Sequence, residues 1–480
     1  MLVQQRPPEV PRSKIHVVSL IDASEEVIEP MAVATVENLE EAHRAAGNQL
    51  TGSVFLQRSN VSPAMKNLKS HLASTLPPLL GAATGAALGC ALTGSLLLGA
   101  LGGVVGMAVG GMVGRMAFGR TQMLKYLPQD AAEPFWTGSR TYQLGGDRTP
   151  AIDSRVVSQD PGSSKLDPAQ MGQLLGEEMQ KNPDATSVAH VFGHGLAYRQ
   201  AAGLPFGQYR QMLAQATSLA GRPVDLLLVE SCLEGNLESL LATAPYARYA
   251  VVSEEIVSAG AISQAFSKAV GALGGQAVTP RELGTAVVAS NPSPVGEMLR
   301  FFFGMPPVDP EGPPEALVKQ MRAETLALID LDRVAGLGQA VDRLGAVLTE
   351  EVKDGMLPYL ATAAEEAMVT GDPMLSFAKQ DLGVGDLNVF VNRIALLYQQ
   401  GTPSSRPREV MKACVEVQER LAEAVVANSI DPQFVDSAGL TVQLPTRRLG
   451  RLDREFDDTL ARSAAPPRWR EFVELASANL

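Results

Sequence analysis

The sequence predicts an α/β fold in which a mostly parallel β-sheet is flanked by helices. Short apolar runs rich in β-branched residues alternate with helical patterns between residues 14 and 253, and this alternation is typical of parallel sheets. The runs are nearly continuous in apolar residues, as expected for strands buried on both faces. A third observation is the long apolar stretch at 79–118, which interrupts the alternation after the second strand.

The predicted elements follow in order along the chain. Strands are expected at 14–22, 52–57, 140–144, 187–192, 224–229 and 248–253, and helices at about 24–46, 206–220 and 236–244. A further helix begins at Asp167 and Pro168, where an acidic N-cap precedes proline at the first helical position.

Beyond residue 261 the pattern is mainly helical. We expect a proline-rich linker at 305–314, amphipathic helices at 316–330 and 334–348, one late strand at 438–444 and a closing helix at 468–476. The chain then divides into the first part of the α/β domain (1–60), an insertion (61–136), the remainder of that domain (137–304) and a mainly helical C-terminal region (305–480).

Composition excludes several classes of protein. The formal net charge of −12 argues against nucleic-acid binding, which needs a basic surface. The cysteines, Cys90, Cys232 and Cys414, are too few and too scattered for a disulfide framework, which favours a reducing compartment or one indifferent to disulfides. The N-terminus has no apolar run, so no signal peptide is expected.

The candidate catalytic residues follow two of the predicted strands. His194 comes after the strand at 187–192, and Cys232 after the strand at 224–229. The carboxyl ends of parallel strands meet at one edge of a sheet, where ligands bind. A thiolate there attacks a peptide carbonyl if an imidazole takes its proton and later protonates the leaving amine. The backbone N–H of Gly195, which has no Cβ to intrude, and that of Cys232 would form an oxyanion hole.

Spacing alone leaves two other interpretations open. Cys232 would equally fit a small buried apolar position, and His194 a hydrogen-bonded loop position. A zinc site is a weaker alternative. Zinc usually needs four ligands, and the only other candidate ligand near His194 is His190, which lies inside an apolar strand.

The wider sequence resembles the clostripain family of cysteine peptidases, which are relatives of the caspases. The region around Cys232 reads DLLLVESCLEGNLESL and is followed by ARYAVVSEE, similar to the family's nucleophile region; VFGHG resembles its histidine strand. The resemblance extends to KIHVVSLIDASEEVIEP, GSVFLQRS, ETLALIDLDRVAGLGQAVDRLGAVL, AGLTVQLP and RWREFVELA. It therefore covers nearly the whole chain except about 60–136, and it implies a caspase-like fold.

The resemblance implies roles for individual residues. Cys232 would be the nucleophile, His194 the general base and Gly195 an oxyanion donor, acting on a protein or peptide substrate. Glu230 stands where the family commonly has aspartate at the floor of the S1 pocket, which implies a basic P1 residue, the substrate residue before the scissile bond.

Ser253 and Glu254 would lie near the substrate at the pocket mouth. The simpler expectation for Glu254 and for the adjacent Glu255 is a solvated surface position. The sequence departs from the family at 256–260, where IVSAG replaces an acidic stretch that often supplies a second pocket carboxylate. A smaller or apolar P1 residue therefore remains an alternative.

No cofactor or metal is expected, although some relatives need calcium, a requirement that only the resemblance suggests. The sequence contains no EF-hand loop.

The insertion carries a glycine zipper that predicts a hydrophobic helical hairpin at about 78–118. Small residues at every fourth position allow close helix packing in lipid, and glycines fall at 81, 85, 89, 102, 106, 110 and 114. The uncharged stretch is long enough to cross a bilayer twice. We expect membrane association through this hairpin, with both flanks cytoplasmic because basic residues flank it on both sides. The zipper also suggests an oligomer.

Two alternatives to a resident membrane anchor are an Ala/Gly-rich hairpin packed on protein and a hairpin that inserts only when triggered. The rival interpretation of the whole chain is a protein that is catalytically inactive or processes only itself. It would then act as a membrane-inserting pore-former or scaffold.

Overall fold

The computed structural model describes residues 9–24, 29–58, 136–146, 152–163, 165–255, 257, 260–291, 325–370, 376–430, 436–447 and 464–480. The strands in these ranges are β1 (Ile15–Ala23), β2 (Leu50–Arg58), β3 (Ser139–Gln143), β4 (Arg155–Asp160), β5 (Thr186–Phe192), β6 (Gln200–Ala201), β7 (Leu204–Pro205), β8 (Val224–Glu230), β9 (Ala247–Val252), β10 (Leu326–Asp330), β11 (Val384–Asp386), β12 (Val425–Ser429) and β13 (Thr441–Gln443). The helices are α1 (Glu29–Ala46), α2 (Pro168–Lys181), α3 (Phe206–Ala220), α4 (Leu237–Thr243), α5 (Ala261–Leu273), α6 (Pro280–Ala289), α7 (Leu331–Lys353), α8 (Leu357–Val369), α9 (Ser376–Leu382), α10 (Leu387–Gln399), α11 (Pro407–Ala424) and α12 (Pro467–Ala478).

A mixed sheet of nine strands forms the centre of the described structure, in the order β12-β10-β9-β8-β5-β1-β2-β3-β4. Strands β9, β8, β5, β1 and β2 are parallel to one another, and their side chains are almost all buried. Helices α1, α5 and α6 contribute to the apolar core on one face, and α2, α3 and α7 to the core on the other. The predicted α/β class, with a parallel sheet centre flanked by helices, is confirmed.

Both margins of the sheet are antiparallel, so the expectation of a mostly parallel sheet is only partly right. β3 and β4 extend one margin and β10 and β12 the other. The helix predicted at 316–330 is wrong over its described part, because Leu326–Asp330 is a strand that pairs with β9. A short buried apolar run fits a strand as well as a helix face, and the neighbouring edge of the sheet decides which one forms.

Several local predictions are confirmed. The side chain of Asp167 accepts a hydrogen bond of 2.9 Å from the N–H of Ala169 and caps α2, with Pro168 in its first turn. The helix predicted at 206–220 coincides with α3. The late strand is observed as β13, which pairs with β11 in a small separate sheet rather than with the main one.

The two strands that flank the insertion are neighbours in the sheet. The N–H of Arg58, the last residue of β2, donates to the carbonyl oxygen of Gly138 at 2.7 Å. The guanidinium groups of Arg58 and Arg140 lie 4.8 and 4.6 Å from the ring centre of Trp136. The chain thus leaves and re-enters the sheet at adjacent positions, beside the carboxyl end of β2.

The predicted glycine-zipper hairpin at 78–118 and the linker at 305–314 lie outside the described residues. Among the helices that the structure describes, none is both long and apolar enough to cross a membrane. The four segment boundaries stay predictions, although β10 and β12 from the C-terminal region complete one margin of the main sheet.

Candidate active site

The loops that follow β5 and β8 touch each other at the predicted catalytic residues. A Cβ atom at Gly195 would overlap the carbonyl oxygen of Cys232 and lie 2.8 Å from its backbone nitrogen. Only glycine permits this approach, because any side chain would force the two loops apart. The structure therefore places the backbone of the residue after His194 directly against Cys232.

Ser231 fastens the two loops together. Its hydroxyl donates to the carbonyl oxygen of Gly193 at 2.9 Å and accepts from the N–H of Ala202 at 3.0 Å. The N–H of Gly203 donates to the carbonyl oxygen of His194 at 2.8 Å. These bonds fix the backbone on both sides of the histidine, so its position does not depend on side-chain contacts alone.

Gly203 also packs against Asp22, a residue that the sequence did not single out. It has φ +77°, and a Cβ atom here would overlap the carboxylate of Asp22 at the end of β1. Asp22 is buried. The sequence gives one signal for this position: Asp22 is an acid at the carboxyl end of a predicted strand, where sites on parallel sheets lie.

The turn after Cys232 is held against the end of β9. Leu233 has φ +63°, an uncommon left-handed conformation for a residue other than glycine. Its N–H donates to the carbonyl oxygen of Glu255 at 3.0 Å, and the N–H of Gly235 donates to that of Ser253 at 2.7 Å. Cys232 is half-buried, whereas Cys414 is buried in α11 and its pKa is raised to about 12 by that burial.

Glu230 is buried at the carboxyl end of β8, with 1% of its side chain exposed. One carboxylate oxygen, Oε2, accepts hydrogen bonds from His190 Nε2 at 2.8 Å and from the N–H of Ser263 at 3.2 Å. Oε1 has no hydrogen-bond partner among the described residues. Glu230 lies two residues before Cys232, the position that the resemblance predicts.

Glu254 and Glu255 are buried rather than solvated, so the expectation of surface positions is wrong. The hydroxyl oxygen of Ser437 lies within hydrogen-bond distance of the Glu254 carboxyl group and 2.8 Å from Oδ2 of Asp386, so it bridges the two acids. Burial and the nearby Asp386 carboxylate raise the pKa of Glu254 well above its ordinary value. Glu255 forms a buried ion pair with Lys379. The approach of the C-terminal segments to the end of β9 is what removes these acids from water.

Ser253 is buried and supports this same strand end. Its hydroxyl lies 3.1 Å from the hydroxyl of Thr325 and accepts from the N–H of Glu255 at 3.1 Å. The structure thus brings Ser253 and Glu254 beside the turn that follows Cys232. Sequence analysis missed Lys379, Asp386 and Ser437, since no local pattern pairs them with residues more than 100 positions away.

Two further acids close to Cys232 in the chain are buried. Burial raises the pKa of Glu234 well above its ordinary value, and that of Glu238 to about 7. Oε1 of Glu238 accepts from the N–H of Gln443 at 3.2 Å.

In the part of the chain that the structure describes, no group of three or more His, Cys, Asp or Glu side chains is arranged to hold a metal ion.

No family model and no curated protein matches this sequence. Similar solved structures include the inactive zymogen of a C11 protease from Parabacteroides distasonis, at 10% identity, 95% coverage of this chain, 99% of that chain and a TM-score of 0.48. Another is a secreted C11 cysteine protease from Bacteroides thetaiotaomicron in complex with an irreversible peptide inhibitor, at 10% identity, 94% and 98% coverage and a TM-score of 0.49. The same kind of protease from that organism, iotapain, gives 12% identity, 95% and 100% coverage and a TM-score of 0.49.

These structures are C11, or clostripain-like, cysteine proteases. That is the family that the sequence was found to resemble. Their identities with this chain are only 10–12%, so the activity of this chain has to be inferred from its own residues.

Proposed function

We propose that this chain is a cysteine endopeptidase with Cys232 as nucleophile and His194 as general base. The observation that supports the proposal is the backbone contact of Gly195 with Cys232. Through this contact Cys232, which is half-buried, meets the loop that carries His194 at the carboxyl ends of β8 and β5. A structural cysteine in an apolar core would not need a glycine-only contact with a histidine loop.

The reaction would pass through an acyl-enzyme. His194 takes the proton of the Cys232 thiol, and the thiolate attacks the carbonyl carbon of the scissile peptide bond. The N–H groups of Gly195 and Cys232 stabilise the oxyanion, at ~3 kcal/mol of transition-state energy per donor. The intermediate collapses as His194 gives its proton to the leaving amine. Water, deprotonated by the same histidine, then hydrolyses the thioester.

A basic P1 residue is the proposed preference. Glu230 supplies a carboxylate just before the nucleophile, and one of its oxygens has no hydrogen-bond donor among the described residues. A guanidinium or ammonium group would form a charge-assisted hydrogen bond with that oxygen. Glu254 and Ser253 are proposed to shape the neighbouring part of the substrate site.

The remaining proposals concern partners and location. The proposed substrate is a protein or peptide, and the mechanism above uses no cofactor; calcium rests on the family resemblance alone. Membrane association through 78–118, with both flanks cytoplasmic, rests on the apolar sequence and its basic flanks, and oligomerisation on the glycine zipper.

The burial of Glu230 favours a second candidate function, a protein that is inactive or processes only itself. With 1% of its side chain exposed, Glu230 has to be uncovered before a P1 side chain reaches it. In this case the chain would serve as a membrane-inserting pore-former or scaffold.

A fluorogenic peptide panel tests the proposal. Protein with residues 75–120 replaced by a short Gly/Ser linker is incubated with peptides that vary at P1. We expect cleavage after Arg or Lys that is lost in Cys232→Ala and in His194→Ala, and retained in Cys414→Ala, the matched cysteine control. If all folded variants fail to cleave any peptide, the second candidate function is favoured instead.

A further inference from the structure

His190 and Glu230 form a buried pair on two neighbouring strands of the main sheet. His190 lies on β5 and Glu230 ends β8; His190 Nε2 and Glu230 Oε2 are 2.8 Å apart, with side-chain exposures of 0% and 1%. The side chains that share this face of the two strands are apolar core residues, Val188, Phe192, Leu226 and Leu228. A polar pair at this place is costly unless its hydrogen bonds are satisfied.

The other nitrogen of His190 is also engaged. His190 Nδ1 lies 2.8 Å from the hydroxyl of Ser19 on β1, and Ser19 is fully buried. If Ser19 donates its proton to Nδ1, the neutral imidazole carries its own proton on Nε2 and donates it to Glu230. Three strands are thereby joined in one hydrogen-bonded row that ends at the glutamate.

The row fixes one oxygen of Glu230 and leaves the other without a partner. Oε2 accepts from His190 and from the N–H of Ser263, whereas Oε1 has no donor within the described residues. A buried carboxylate oxygen without a donor is destabilising, and such orphans in native proteins call for an explanation. A donor brought by a ligand supplies one.

We propose that His190 is a positioning residue for substrate specificity. It holds Glu230 through Oε2, so that Oε1 is oriented for a basic P1 side chain. The inference rests on the proposed function and extends it to a residue that never touches substrate. It also accounts for a histidine in a strand position where the surrounding side chains are apolar.

Two substitutions separate the hydrogen bond from the bulk of the ring. His190→Leu removes the imidazole donor and leaves Oε2 with the N–H of Ser263 alone, so the carboxylate loses the contact that fixes its orientation. The amide nitrogen of His190→Gln replaces Nε2 and keeps a donor to Oε2. The readout is the ratio of kcat/KM for a peptide with arginine at P1 to that for the same peptide with citrulline, its uncharged analogue.

We expect His190→Leu to lower the arginine-to-citrulline ratio about tenfold, equivalent to ~1.4 kcal/mol, mainly through KM for the arginine peptide. His190→Gln should restore most of the ratio. An unchanged ratio in folded His190→Leu, with cleavage still dependent on Cys232, would overturn the inference and leave the proposed peptidase intact.

The chain offers a matched control near the amino ends of the central strands, whereas Cys232 follows their carboxyl ends. His16, on β1, forms a similar pair with Glu178, with Nε2 and Oε2 3.1 Å apart and Nδ1 2.8 Å from the hydroxyl of Thr51. His16→Leu removes a comparable His–Glu pair far from the Cys232 edge. We expect it to lower Tm without changing the P1 ratio, and an equal loss of the ratio would reduce His190 to a structural residue.

Peptide affinity tests the role of His190 independently of whether the protein cleaves peptides. In Cys232→Ala protein, the affinity of the arginine peptide relative to the citrulline peptide is measured with and without His190→Leu. A fall in this ratio supports the inference even if wild-type protein cleaves nothing, whereas equal ratios overturn it. If His190→Leu does not fold, Ser19→Ala takes its place, with the same two outcomes.

Discussion

Glu238 is a buried acid in the first turn of α4, just beyond the turn that carries Cys232. Its Oε2 has no hydrogen-bond partner among the described residues, and Oε1 accepts from the N–H of Gln443. Burial raises its pKa to about 7. The folded state therefore binds a proton that the unfolded chain releases at lower pH, and folding stability depends on pH through this residue.

Glu238→Gln is expected to stabilise the protein at neutral and higher pH. The stability associated with protonated Glu238 is fully present below the unfolded pKa of about 4.3 and declines as the pH rises toward about 7. The glutamine keeps an acceptor for the N–H of Gln443 and removes the charge. We expect a gain on the order of 2 kcal/mol at pH 8 and little gain at pH 4, measured by urea denaturation at both values. A gain of the same size at pH 4 would contradict this assignment.

At the scale of the elements, a buried charged cluster joins the C-terminal segments to the end of β9. It consists of Glu254, Glu255, Lys379, Asp386 and Ser437. Asp386 also caps α10, since its side chain accepts from the N–H of Val389 at 2.8 Å. Lys379 is the only basic side chain in this set. The cluster therefore supports the turn beyond Cys232 from outside the central strands.

Lys379→Met is expected to lower the free energy of unfolding by ~3 kcal/mol, because it leaves Glu255 buried without its cation. Urea denaturation at pH 7 measures the change. Lys353→Met is the matched control, since Lys353 pairs with Glu350 on an exposed part of α7 and should change stability little. Similar losses of unfolding free energy in the two variants would show that the buried ion pair stabilises the fold no more than the exposed one does.

The central strands and β3 could be predicted from sequence, whereas β4, β10, β12 and the burial of the acids could not. The strands around Val188 and Leu227 are nearly continuous apolar runs, and such runs predict strands that are buried on both faces. β4 is exposed along its whole length and lacks that signal. The burial of Glu254 depends on Asp386 and Ser437, which only the tertiary fold brings near. Local pattern carries no information on such distant partners.

At the scale of the whole molecule, the insertion is attached to one edge of the sheet by neighbouring strands. β2 and β3 pair antiparallel, and the backbone bond between Arg58 and Gly138 joins the two ends of the undescribed segment. The arginine groups on Trp136 add two cation–π contacts at this junction. Short linkers can replace a segment whose ends are already adjacent, because the loop-closure cost is then small.

Replacing residues 59–135 with a short Gly/Ser linker should leave the remaining fold intact. We expect Tm to change by no more than about 1–2 °C, corresponding to ~1 kcal/mol for the roughly 400 residues that remain, measured by differential scanning calorimetry. Circular dichroism would confirm the α/β content. Loss of the cooperative transition would mean that the insertion is part of the core rather than an addition to it.

The reactivity of the Cys232 thiol tests the central claim most directly. Iodoacetamide labelling is followed by mass spectrometry at pH 6 in the wild-type protein and in His194→Ala, with a free cysteine peptide as reference. A thiol paired with imidazole should label at least about tenfold faster than the reference peptide, because more of it is thiolate. The rate should fall to the reference value or below in His194→Ala. Equal labelling of Cys232 in both proteins, no faster than the reference peptide, would contradict the Cys232–His194 dyad.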